Sequence, residues 1–163
     1  MLLDGYFHED IHSGNIFFQD NKIYLLDNGS IGFSSEKLRH GLTSFFDDLT
    51  HDRIEDAATS LILMSENTEQ NQHNFTQYKI DFCKLYEGFS QKTLRELSLT
   101  QQMMASIKMA VHAGYTFERG MYPIIKSFMY LDGMARACRP DTKLMEDVRP
   151  LIEQFATYKK TIA

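Results

Sequence analysis

His8-Glu9-Asp10-Ile11-His12-Ser13-Gly14-Asn15, with Asp27-Asn28-Gly29 twelve positions beyond Asn15, sets two carboxylates and an amide at spacings that suit phosphoryl transfer. A loop carboxylate such as Asp10 orients an attacking hydroxyl and takes its proton. An amide oxygen five residues on, at Asn15, ligates a divalent ion. A second carboxylate at a strand end, Asp27, bridges the ions that hold nucleotide phosphates. Magnesium favours such hard oxygen donors and needs only one or two from the protein.

The flanking residues predict how these groups are brought together. Ile16-Phe17-Phe18, the turn-forming pair Asp20-Asn21 and Lys22-Ile23-Tyr24-Leu25-Leu26 read as a hairpin of strands 15–19 and 22–26. Its return path carries Asp27 back beside Asn15, and Gly29 is expected to give backbone freedom just after the carboxylate. From Ser34 onward helical spacing takes over. Leu38, Leu42, Phe45, Phe46 and Leu49 mark a first helix. Asp52 with Glu55 suggests a capping box opening a second. A loop is expected from Ser65 to Gln72, and a helix over 75–88. Ser98 with Gln101 opens another helix, which Gly114 ends. Ile124 to Met134 mark the next, stopped by Arg139-Pro140, and Pro150 suits the first turn of a last one. The expected fold is α+β and mostly α, one domain in which residues 1–33 form the loop-and-hairpin segment and 34–163 a lobe of about six helices.

Composition narrows the function classes. The chain has 163 residues, 43% hydrophobic and 24% charged, with formal net charge -5 and no Lys/Arg block. Nucleic acid is therefore not an expected partner. Two cysteines far apart, Cys83 and Cys138, suggest neither disulfides nor zinc and are expected to be small buried residues. No secretory signal and no run near the ~20 apolar residues of a membrane span are seen, so the expected location is the cytoplasm or the periphery of a membrane. The Met and aromatic positions, Met103, Met104 and Met129 among them, read as core. Asp47-Asp48 reads as a solvated helix face, and His40, His51 and His73 as surface residues.

The loop and the segment around Asp27 resemble the catalytic and metal-binding loops of the UbiB/AarF family of atypical kinase-like proteins. Ile31-Gly32 followed by Arg39, and the later His112, Pro123, Asp132-Gly133 and Arg139-Pro140-Asp141, are similar to that family's downstream landmarks. The resemblance implies a kinase-like C-terminal lobe, with Asp10 as catalytic aspartate, Asn15 and Asp27 as metal ligands, and His8, His12, Gly14 and Gly29 as supporting loop residues. It implies Mg2+ and ATP as cofactors, and a link to ubiquinone or other isoprenoid-lipid metabolism, usually at a membrane.

Departures from the pattern are Glu9, Ile11 and Ser13 in the loop, and Asn28 where a Phe is usual. The lysine-bearing N-terminal lobe that would grip ATP is absent from these residues. The expected partner is that lobe or a companion chain, and the isolated chain is expected to be inactive. Three other readings remain: a small-molecule phosphotransferase of the aminoglycoside or choline kinase kind, a pseudokinase remnant or binding module, and a zinc site built from His8, Asp10 and His12, for which no fourth ligand is evident.

Overall fold

The computed structural model describes residues 1–67 and 72–162, with the side chains at 72, 73 and 156–162 left aside. The architecture is α+β and mostly α. Two small antiparallel sheets precede six α-helices among the described residues.

β1 (Tyr6–His8) pairs with β4 (Ile31–Phe33), and β2 (Ile16–Gln19) pairs with β3 (Lys22–Leu25). The hairpin register runs from Ile16↔Leu25 to Gln19↔Lys22. Asp20 and Asn21 sit at φ 50° and 58°. Two successive left-handed residues suit a tight hairpin, and Asp and Asn adopt that conformation more readily than most side chains. The β1–β4 pairing, Tyr6↔Phe33 to His8↔Ile31, has no counterpart in the sequence reading, because three-residue strands carry too little periodicity to announce a partner. Gly32 leaves room there for two side chains: a Cβ would lie 2.6 Å from the Phe7 ring and 2.7 Å from the Glu9 side chain.

The helices are α1 (Glu36–Thr50), α2 (Ile54–Leu63), α3 (Gln72–Leu85), α4 (Leu99–His112), α5 (Met121–Cys138) and α6 (Leu144–Ile162). Their core is one cluster built on Leu38, Leu42, Phe45 and Leu49 of α1, Leu61 of α2 and Phe82 of α3. Burying side chains of this size contributes about 1.5–3 kcal/mol each. Phe45 meets Phe82 and Tyr86 edge-on at 6.4 and 6.3 Å between ring centroids, an arrangement that matches positive ring edges to negative ring faces. Caps begin and end the helices where the sequence predicts at two places. The Ser98 hydroxyl accepts the Gln101 N–H at the start of α4, and Gly114, at φ 98°, follows its end.

Several expectations are corrected. Arg53, not Asp52, precedes α2, and Asp52 takes a left-handed turn at φ 58°. The turn is drawn tight because the Arg53 guanidinium donates to Asp48 Oδ1 at 2.9 Å and to Asp47 Oδ2 at 2.6 Å. Asp48 is thus buried and paired, also accepting the Ser60 hydroxyl at 2.7 Å, rather than solvated. His51 is engaged as well, lying 3.3 Å from Glu153 of α6. α3 begins and ends three residues before the expected helix. Pro150 lies inside α6, as its seventh residue, on an exposed position. Met104, Met129 and Cys138 are exposed. Of the expected 65–72 loop, 68–71 lie outside the described residues, as does the His73 side chain.

Gly41 of α1 lies directly against Met64, the residue that follows α2, and a Cβ there would run into the Met64 side chain. Gly41→Ala is therefore expected to destabilise the chain by about 1–3 kcal/mol in urea unfolding, the usual cost of overpacking. An unchanged midpoint would show that Gly41 and Met64 are not this close.

Candidate active site

The loop is held by its own histidines. His8, 6% exposed at the end of β1, accepts the Asp10 N–H on Nδ1 at 3.1 Å and faces the Leu26 carbonyl with Nε2 at 3.2 Å. An amide N–H only donates and a carbonyl only accepts, so the proton sits on Nε2 and the ring is the neutral tautomer. His8 thereby ties the backbone of Asp10 to the peptide just before Asp27. His12 acts more locally: its Nδ1 accepts the Gly14 N–H at 3.1 Å, capping the 3-10 turn Ser13–Asn15, and its Nε2 lies 3.5 Å from Asp10 Oδ2. Gly14 suits that cap, because a Cβ would press on the His12 ring at 3.0 Å.

Asn15 is placed from both sides. Its side-chain amide donates to the Asp10 carbonyl at 3.0 Å, and its own carbonyl accepts the Leu26 N–H at 2.8 Å. With Nδ2 committed to the loop, Oδ1 is left as the free acceptor of that side chain. Asp27 follows Leu26 directly and adopts φ 51°, a left-handed conformation that the β-strand before it does not share. Gly29 donates its N–H to Asp27 Oδ1 at 3.4 Å. The backbone freedom expected of Gly29 is not what it supplies. The left-handed residue is Asp27 itself, and Gly29 contributes a donor and the space a Cβ would take from Asp27 Oδ1 at 3.1 Å. Glu9, a departure from the family pattern, has a structural role: it accepts the Ser30 hydroxyl at 3.1 Å and pairs Glu9 N–H with the Ser30 carbonyl at 3.0 Å.

The donor set fits magnesium in kind. Asn15 Oδ1 and the Asp27 carboxylate are hard oxygens, with Asn15 partly exposed and Asp27 exposed. No group of three or more His, Cys, Asp or Glu able to hold a metal occurs among the described residues. A His8–Asp10–His12 zinc site has no support, since both imidazoles use Nδ1 to accept backbone N–H groups.

Sequence reasoning missed the α5 side of the site. Lys126 Nζ donates to Asp10 Oδ1 at 3.0 Å across 116 positions of chain. The Ser127 hydroxyl reaches the His8 carbonyl at 3.0 Å, and Tyr130 sets its ring edge-on to His12 at 6.0 Å. Lys126, Ser127 and Tyr130 were legible only as part of a helix. The landmarks further on are structural: Asp132 accepts the Ser98 hydroxyl at 2.5 Å, and Asp141 pairs with Arg95 at 3.0 Å. His112, exposed at the end of α4, stands apart from the loop.

Residues 1–61 match the family model of the ABC1 atypical kinase-like domain. Over 161 aligned positions the chain is 28% identical to proteins named "Probable protein kinase UbiB" in Shewanella sp. (strain ANA-3), Shewanella baltica (strain OS155) and Shewanella oneidensis. The chain is similar to the UbiB-type atypical kinases. The alignment covers 93% of the chain and 28% of each UbiB protein, so it spans less than a third of the length of these relatives. No solved structure matches it. The UbiB likeness extends past the loop through α5, the helix that carries Lys126 and Asp132.

The hydrogen bond from Lys126 holds the Asp10 carboxyl below its ordinary value of 3.8, with the charge of Lys126 acting in the same direction. A lowered carboxylate favours the folded state above the unfolded-state value and loses that contribution as pH falls through the folded value. A carboxyl-detected NMR titration is expected to place Asp10 below 3.8 in the parent chain and return it toward 3.8 in Lys126→Met. Identical curves would remove the ion pair. His8→Phe is expected to cost about 1–3 kcal/mol in urea unfolding, the penalty for a buried donor left without its acceptor; no loss would show that the ring does not bridge Asp10 and Leu26.

Proposed function

We propose that the chain is the C-terminal lobe of a UbiB-type kinase or ATPase and works on Mg2+-ATP together with a further lobe. The observation that carries this is the hydrogen-bonded frame in which His8 links Asp10 to Leu26 while Asn15 bonds to both. That frame lies within the segment matching the ABC1 atypical kinase-like domain. Asn15 and Asp27 would hold magnesium, which neutralises phosphate charge when bound. Asp10 would orient the acceptor hydroxyl and receive its proton. The phosphoryl acceptor is assigned by likeness alone, to isoprenoid-lipid metabolism.

A second lobe has its own support. Tyr6, Phe17, Phe18, Ile23, Ile31 and Phe33 on the two small sheets are all about half exposed or more. Apolar strands facing water in this number mark a surface that another polypeptide covers. The relatives are long enough to supply one. Alone, the chain is expected to hydrolyse ATP at background rates. No helix among the described residues is long and apolar enough to cross a membrane, so any membrane attachment would be peripheral or supplied by that further lobe.

Two measurements test this. Mn2+ takes the oxygen ligands that suit Mg2+ and broadens nearby NMR signals. Mn2+-ATP added to the 15N-labelled chain is expected to broaden amides around Asp10–Asn15 and Asp27–Gly29, with about tenfold weaker binding in Asn15→Ala/Asp27→Ala, as for loss of metal ligation at a weak site. Broadening elsewhere, or none, would refute the assignment. When a lobe covering the hairpin restores turnover, Asp10→Asn is expected to lower it by about 100- to 10,000-fold, the range for loss of a general base; retained turnover would exclude Asp10.

A further inference from the structure

α5 meets the loop through three side chains, Lys126, Ser127 and Tyr130. Ser127, 6% exposed, shares its hydroxyl proton between the His8 carbonyl and the Pro123 carbonyl, each at 3.0 Å. That bond fixes the height of α5 against the loop. Tyr130, one turn after Lys126 and on the same helix face, packs its ring edge-on against His12. Lys126 Nζ lies 5.7 Å from the centroid of that ring and 3.0 Å from Asp10 Oδ1. Its ammonium is thus steered from two directions onto the carboxylate that would face the reacting hydroxyl.

The pair itself is weakly held. Lys126 and Asp10 side chains are 46% and 39% exposed, and an ion pair so open to water adds little to stability. An ammonium in such a pair is readily exchanged for a stronger anion. The surroundings carry excess negative charge, since Asp10 and Glu9 both act on Lys126. A terminal phosphoryl group brought there needs a cation beyond magnesium, and a lysine supplies it as a compact charge with three donors.

We infer that Lys126 is the phosphate-recognising residue of this site, resting on Asp10 in the free chain and pairing with the terminal phosphoryl oxygens of a bound nucleoside triphosphate. This rests on the phosphoryl-transfer reading and adds to it a residue from the far end of the lobe. Asp10, released from its ion pair as the triphosphate arrives, is then free to turn to the acceptor. The ligand class that follows is a nucleoside triphosphate over a diphosphate, because the diphosphate lacks the group that Lys126 reaches.

The test compares Mn2+-ATP with Mn2+-ADP on the 15N-labelled chain, read from broadening at Asp10–Asn15. The parent is expected to favour the triphosphate by about tenfold, the worth of one charge-assisted hydrogen bond. Lys126→Met is expected to abolish that ratio while leaving diphosphate binding unchanged, and Lys126→Arg to keep it within about threefold. A merely structural lysine would weaken both nucleotides equally, which would overturn the inference, as would a ratio preserved in Lys126→Met. Should Lys126→Met fail to fold, Lys126→Gln, which keeps a polar tip, is read in the same way. If neither nucleotide broadens the parent loop, the phosphoryl-transfer reading fails and the inference with it. If both broaden it with equal affinity in parent and variant, only the role of Lys126 fails.

Discussion

The neutral imidazole of His8 carries two backbone bonds that cannot both exist without it. Its unprotonated Nδ1 accepts from Asp10 and its Nε2 proton goes to the Leu26 carbonyl. The ring is buried, so water does not offer a substitute partner for either nitrogen. The loop and the strand end therefore move as one piece. Asn15 completes the frame by bonding to Asp10 with its side chain and to Leu26 with its backbone.

That frame would float without the helices. Ser127 holds the His8 carbonyl from α5, and α5 is anchored in the core by Ile124 and Ile125. At the chain start, Ser34 donates its N–H to the Gly5 carbonyl at 2.9 Å, and Arg39 of α1 donates to the Leu3 carbonyl at 2.7 Å. The site is thus clamped between α1 and α5, the first helix after the strands and one more than eighty positions further on. The hydrophobic cluster sets the rigidity of both helices, and the polar bonds transmit it to the loop.

The two small sheets behave differently from the helical body. Their strands bury few side chains, and Phe18 and Ile23 of the hairpin are 65% and 69% exposed. A two-stranded ribbon is marginal by itself and needs a surface to pack on. The same segment carries Asn15 and Asp27, so whatever packs on the hairpin would also order these two residues. The likeness to proteins more than three times as long suits that arrangement.

Much of the fold was legible because it is local. Heptad-like spacing of Leu38, Leu42 and Phe45, the Ser98–Gln101 cap, Gly114 and the Asp20-Asn21 turn act within a few residues, and each is where the pattern puts it. Failures came where a distant partner overrode a local signal. Arg53 gathers Asp47 and Asp48, which removes Asp52 as a cap and buries a carboxylate that patterning treats as solvated. Pro150 stands inside α6 rather than in its first turn, at an exposed position where water can reach the carbonyl that its missing N–H leaves unpaired. By itself the sequence determined the loop, its order of Asp, Asn and Asp, and the hairpin that follows, since short-range hydrogen bonds and turn chemistry are written in adjacent residues. Only the tertiary structure decided that Lys126, Ser127 and Tyr130 face that loop and that Asp27 takes the left-handed conformation, because helix packing brings together side chains whose spacing along the chain holds no trace of the meeting.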